Sequence, residues 1–167
     1  LDNSIKGVNM KLCEVLGINN PNILIPKSKT IKKLTTYIPK KDAENLRKDL
    51  FGIGAGSIGK YENCSFSFEG VGTFKGNENS NPAVGVKQKD TDVEEVCVNI
   101  TFLKHLEEMV LLSLRKAHPY EEIAYELDTL ENVNENIGMG MVGELSEAIS
   151  EEELFELIKS KLGTKFL

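Results

Sequence analysis

The densest set of chemically active side chains in this sequence is the run His118-Pro119-Tyr120-Glu121-Glu122. It places an imidazole, a phenol and two carboxylates within one bend. Such a set could bind a cation or transfer protons, because histidine titrates near neutrality and carboxylates can take what it releases. The simpler reading is a rigid turn. Proline pushes the residue before it out of the helical region, so His118 closes a helix, at the end where a positive charge is favoured. One motif in a bend does not supply a closed site, and the structural reading comes first. His105, the second of the two histidines, stands among charges at a helix start and reads as solvated.

Gly54-Ala55-Gly56-Ser57-Ile58-Gly59 invites comparison with phosphate-binding loops. A dinucleotide motif needs its glycines between a strand and a following helix, with the helix N-terminus aimed at phosphate. Here the glycines follow a helix pattern and precede a strand, which favours a tight turn; Ser57 and the backbone N–H groups could still contact an anion. Cys64 alternates with Phe66 and Phe68 and reads as a packed core thiol rather than a nucleophile. The three cysteines, Cys13, Cys64 and Cys97, show no Cys-x-x-Cys spacing, so reduced thiols in a cytoplasmic protein are expected.

The elements that would position these groups follow from periodicity. The 167 residues, 40% hydrophobic and 28% charged, suit a soluble globular core, and no apolar stretch approaches the roughly 20 residues of a membrane span. Net charge is −6, with lysines spread among acids, which argues against nucleic-acid binding. Residues 8–16 carry helical apolar spacing stopped by Gly17. Asn19 to Lys29, with Pro21 and Pro26, reads as a polar connector. A strand is expected over 31–38, a helix over 42–53 capped by Asp42, and a strand over 60–69 followed by a bend at Gly70 and Gly72. A long surface loop over 75–92 leads to an alternating strand over 93–102, a helix over 104–117 and a last strand over 122–130.

Two strand–helix–strand halves of similar length make an α+β, ferredoxin-like βαβ-βαβ unit, an antiparallel sheet with both helices on one face. Beyond a second connector, Glu131 to Ile137, residues 138–145 suggest a buried strand, and Ser150 with Glu153 forms a capping box for a final helix. The helix over 8–16 and the strand–helix pair over 138–162 each need an apolar surface to cover, so they are assigned to a second domain into which residues 30–131 are inserted. Leu1 reads as a cut or processed end. The expected limits are 1–29 for part of a first lobe and linker, 30–131 for the insert, and 132–167 for the start of a second lobe.

Four stretches resemble the Nif-three-like family, the GTP cyclohydrolase I type 2 homologues. Residues 54–74, GAGSIGKYENCSFSFEGVGTF, resemble its insert signature, and residues 117–126, AHPYEEIAYE, its second signature, with Ile123 where a proline is common. Residues 138–145, GMGMVGEL, resemble the point where the family's core resumes, and residues 1–9, LDNSIKGVN, the segment around its first-lobe metal aspartate. The resemblance implies a two-lobed α/β core with two divalent metal ions per full-length subunit and a hydrolase-like cleft. Of the family's ligands only the aspartate has a counterpart, Asp2; the paired histidines and the C-terminal histidine and glutamate have none, so no tightly bound metal is expected here. The resemblance also implies a PII-like or CutA-like insert, self-association into trimers or a full-length hexamer, and a nucleotide-like small molecule as a ligand. Two readings stand side by side: an enzyme-type protein whose insert regulates access to the cleft, and a non-catalytic ligand-sensing or oligomerisation module.

Overall fold

The computed structural model describes residues 3–166. The chain forms two compact units, one continuous from Lys29 to Glu131 and one built from the segments before and after it.

The continuous unit runs β2 (Ile31–Pro39), α2 (Ala43–Gly52), β3 (Phe66–Lys75), β4 (Asp90–Leu103), α3 (Glu107–Ala117) and β5 (Tyr125–Leu130). Its four strands form an antiparallel sheet in the order β3-β4-β2-β5. Residue alternation gives each strand two faces. Leu34, Ile38, Val96, Val98, Ile100 and Phe102 fall on one face and pack with Leu46 and Leu50 of α2 and Val110 and Leu114 of α3. That single layer of helices on one sheet face is the core of the unit. Thr36 is wholly buried there because its hydroxyl donates to the Ala124 carbonyl at 3.0 Å, which spares it the cost of an unmade bond.

The other face carries Thr35, Tyr37, Cys97 and Asn99, in register with Phe66 and Phe68 of the edge strand β3. Phe66 is 70% and Phe68 52% exposed. The inward placement expected for Cys64, Phe66 and Phe68 is therefore overturned: the helices cover the opposite face, and Cys64 lies half-buried before the strand begins. Gly70 and Gly72 lie within β3 instead of ending it. A Cβ at Gly72 would meet the Glu95 carboxylate, the end of a flexible side chain. The last strand begins at Tyr125, three residues later than expected, because residues 118–124 form the turn that carries the histidine. Asp42 occupies the N-cap position of α2 but makes no side-chain cap bond.

In the second unit, β1 (Asn19–Lys27) pairs antiparallel with β6 (Asn134–Glu144), and α1 (Val8–Leu16) and α4 (Glu151–Leu162) complete it. The expected connector at Asn19 to Lys29 is thus a strand over most of its length. Its prolines are tolerated because the register shifts between Asn19 and Asn22 and between Pro26 and Lys27; proline is admitted at bulges and edges, where no ladder donor is needed. Gly138 is buried, and a Cβ there would strike the Ile25 carbonyl. Met139, in the same strand, is 69% exposed, so the strand is buried at some positions only. Gly17, at φ 73°, ends α1 in the left-handed conformation. The capping box of α4 is present, with the Glu153 N–H donating to Ser150 Oγ at 3.3 Å and the Ser150 N–H to Glu153 Oε2 at 2.8 Å.

Candidate functional site

α3 ends where Pro119 forbids its continuation. His118 accordingly leaves the helix with an extended backbone, φ −81° and ψ 132°, while its N–H still bonds the Leu114 carbonyl at 2.9 Å. That change of direction turns the imidazole under the sheet end, where it is 6% exposed. Nε2 lies 2.9 Å from the Tyr37 carbonyl at the end of β2, and Nδ1 accepts the Tyr120 N–H at 3.2 Å. A carbonyl only accepts and an N–H only donates, so the proton sits on Nε2.

Tyr120 packs edge-on against the imidazole, with ring centroids 4.9 Å apart, and its hydroxyl donates to Glu95 Oε1 of β4 at 2.8 Å. Nothing local to the motif signals Glu95 or the Tyr37 carbonyl; both lie far from it in the chain, and only strand register brings them in. Burial holds the His118 imidazole below its ordinary value, against the opposing pull of the Tyr37 carbonyl, Glu95 and Asp42. Burial at this helix end works against the positive charge that a helix C-terminus favours. Burial, then the bond to Glu95, pushes the Tyr120 phenol well above its usual range. Asp42 Oδ2 is buried without a partner.

Glu121 points elsewhere, its Oε1 accepting the Asn81 N–H at 2.6 Å in the loop between β3 and β4. Glu122 is exposed. The turn therefore gathers His118 and Tyr120 with Glu95, and sends Glu121 and Glu122 outward. His105 is exposed.

The glycine loop connects α2 to β3. Gly54, Gly56 and Gly59 have φ of 91°, 77° and 58°. Gly56 is buried, donates to the Thr101 carbonyl at 2.7 Å and accepts the Cys64 N–H at 2.8 Å. The N–H groups of Gly54, Ala55, Gly56 and Ile58 are all bonded within the protein, while Ser57 is exposed, with Oγ 3.5 Å from the Gly54 carbonyl. The loop is a turn with most of its donors engaged.

Asp2 lies outside the described residues. Among those described, no group of three or more His, Cys, Asp or Glu side chains is placed to hold a metal ion, and no catalytic step is assigned to a metal. No helix among them is long and apolar enough to cross a membrane.

No protein-family model matches the chain. It is 37% identical over 163 residues to a Bacillus subtilis GTP cyclohydrolase 1 type 2 homolog, covering 97% of this chain and 44% of that protein. A Halalkalibacterium halodurans protein of the same description is 34% identical over 160 residues, covering 95% of this chain and 43% of the relative. Among solved structures, a Bacillus cereus protein related to NIF3 superposes with a TM-score of 0.81 at 36% identity, over 98% of this chain and 43% of that one. An α+β chain with two antiparallel sheets, aligned over nearly its whole length with part of each of these proteins, belongs to the Nif3-like family of GTP cyclohydrolase 1 type 2 homologues. It spans less than half the length of the relatives it matches.

Proposed function

We infer that this chain carries the inserted unit of a Nif3-like protein, and that the insert is a ferredoxin-like, PII-like or CutA-like module that governs self-association and access to a hydrolase-like, dinuclear-metal cleft of the whole protein. The observation that carries this reading is the β3 edge. Phe66 and Phe68 project from an edge strand at 70% and 52% exposure, on the sheet face that the helices leave bare. An unpaired edge with exposed aromatic side chains is a surface that soluble proteins cover or pair. The strand order β3-β4-β2-β5 with both helices on one face supports the ferredoxin-like description.

A trimer, or a hexamer made of two trimers in the full-length protein, would bury that edge by head-to-tail contacts that close. The names of the relatives suggest GTP ring opening as the chemistry of the whole cytoplasmic protein. A second reading, ligand sensing by the insert, is favoured by a groove of about 310 Å³ beside Lys40, Arg47 and Phe68. Arg47 and Phe68 would be the groups that meet a nucleotide-like molecule, while Lys40 is already paired with Glu69 at 2.6 Å and Glu44 shares the lining.

Sedimentation equilibrium tests the assembly. The chain associates at micromolar concentration, and Phe66→Lys with Phe68→Lys shifts it toward monomer, because burying an unpaired ammonium is costly. A strict monomer at high micromolar concentration would refute the reading.

A further inference from the structure

We propose that the turn from His118 to Glu122 is a proton-operated latch, which holds the loop between β3 and β4 in place while His118 is neutral and releases it when the imidazole takes a second proton. Three segments distant in sequence converge on this turn. The end of β2 is held through the Tyr37 carbonyl, β4 through Glu95, and the loop through the Asn81 N–H. All three bonds depend on the path of residues 118–121.

His118 has no room for a second proton in this arrangement. Nε2 already donates, so the proton must arrive at Nδ1, the atom that accepts the Tyr120 N–H at 3.2 Å. Two donors would then face each other, and the Tyr120 backbone must withdraw. Its withdrawal moves the phenol that bonds Glu95 and, one residue on, the carboxylate that bonds Asn81. A ring flip does not remove the conflict, because the imidazolium has only donors and one of its two partners is an N–H.

The charged groups around the ring are Glu95 of β4 and Asp42 ahead of α2, which favour its protonation, with the Tyr120 phenol packed against it. Arg115 and Lys116 in the last turn of α3, and Glu121 and Glu122 in the turn itself, are exposed. Burial outweighs the two carboxylates, which keeps the ring neutral and the latch closed at neutral pH, and places opening on the acid side of the ordinary imidazole range.

Two-dimensional NMR of the chain between pH 7.5 and 4.5 tests this directly. At the upper end His118 carries its proton on Nε2. When His118 takes its second proton, the amides of Tyr120 and Asn81 shift with the same midpoint. The Asn81 protection factor, which corrects for intrinsic exchange, falls about tenfold or more, the scale of losing one hydrogen bond to a charged acceptor. Glu121→Ala, at an exposed position, removes the connection: Asn81 becomes unprotected at every pH while His118 still titrates. The proposal is overturned if the Nδ1 tautomer is found, if Asn81 keeps its protection through the His118 step, or if the loop responds with a midpoint other than that of His118.

Discussion

Replacing Gly56 with alanine separates a turn held by its own backbone from a loop with conformational freedom to spare. Gly56 sits at φ 77°, where a side chain costs about 1–2 kcal/mol. Its new Cβ would also lie 2.7 Å from the Cys64 carbonyl oxygen and 3.0 Å from the Cys64 nitrogen. Both are backbone atoms, and the nitrogen donates to the Gly56 carbonyl, so they cannot yield without loosening that Cys64–Gly56 hydrogen bond of 2.8 Å. Overpacking of this kind adds about 1–3 kcal/mol, for a total of roughly 2–5 kcal/mol. Gly59 is the matched control: its φ is also positive, at 58°, but nothing lies within 4 Å of its Cβ position, so Gly59→Ala bears only the conformational part, about 1–2 kcal/mol. The four tyrosines, Tyr37, Tyr61, Tyr120 and Tyr125, all lie in the unit from Lys29 to Glu131, and there is no tryptophan. Tyrosine fluorescence in a urea titration therefore reports that unit alone. At a urea slope of about 1–3 kcal/mol per molar, Gly56→Ala lowers the midpoint by about 1–2 M, and Gly59→Ala by about half as much. Equal midpoints for the two variants would show that the Cys64 contact carries no energy and that the loop does relax.

Leu46→Ala, at a wholly buried position between α2 and the sheet, costs about 2–5 kcal/mol in the same assay; a loss under 1 kcal/mol would contradict the packing described. Ser150→Ala removes the capping box of α4 at a cost of about 1 kcal/mol, read as faster amide exchange in α4 with the tyrosine transition unchanged. The stability contributed by neutral His118 is complete above the ordinary imidazole value. It declines as pH falls from there toward the lowered folded value, because the unfolded chain binds the proton first. The tyrosine-monitored midpoint should therefore drop across that window, and His118→Gln should flatten the slope. Elemental analysis of the purified chain should find less than one divalent ion per molecule; two tightly held ions would require a ligand set that the described residues lack.

Residues whose neighbours are local were legible in the sequence. The alternation Val96, Val98, Ile100, Phe102 is the buried face of β4, and Leu46 and Leu50 are the buried face of α2. The Ser150–Glu153 box caps α4 because both partners lie within one turn. What failed needed knowledge of the other side. The Phe66 and Phe68 alternation correctly marks a strand, but periodicity cannot say which sheet face the helices will cover. Pro21 and Pro26 argue against a ladder only where every N–H must be used, and β1 is spared that demand by its irregular register. At the site, the motif from His118 to Glu122 was visible, while its role turned on Tyr37, Glu95 and Asn81. Burial among these distant segments is what lowers the imidazole's tendency to take a proton at a helix end that would otherwise favour one.

The two ends of the inserted unit leave the sheet side by side. Ile31 is paired directly with Leu130, and in the other unit Lys27 is paired with Asn134. For an unfolded chain, bringing Lys27 to Asn134 means closing a loop of roughly a hundred residues; with the insert already folded, the same closure spans only the few residues on either side of it. On the logarithmic scaling of loop entropy that difference is about 2 kcal/mol. The insert thus acts on its host as a clasp on a long thread: once folded, it leaves β1 and β6 only a short span to close.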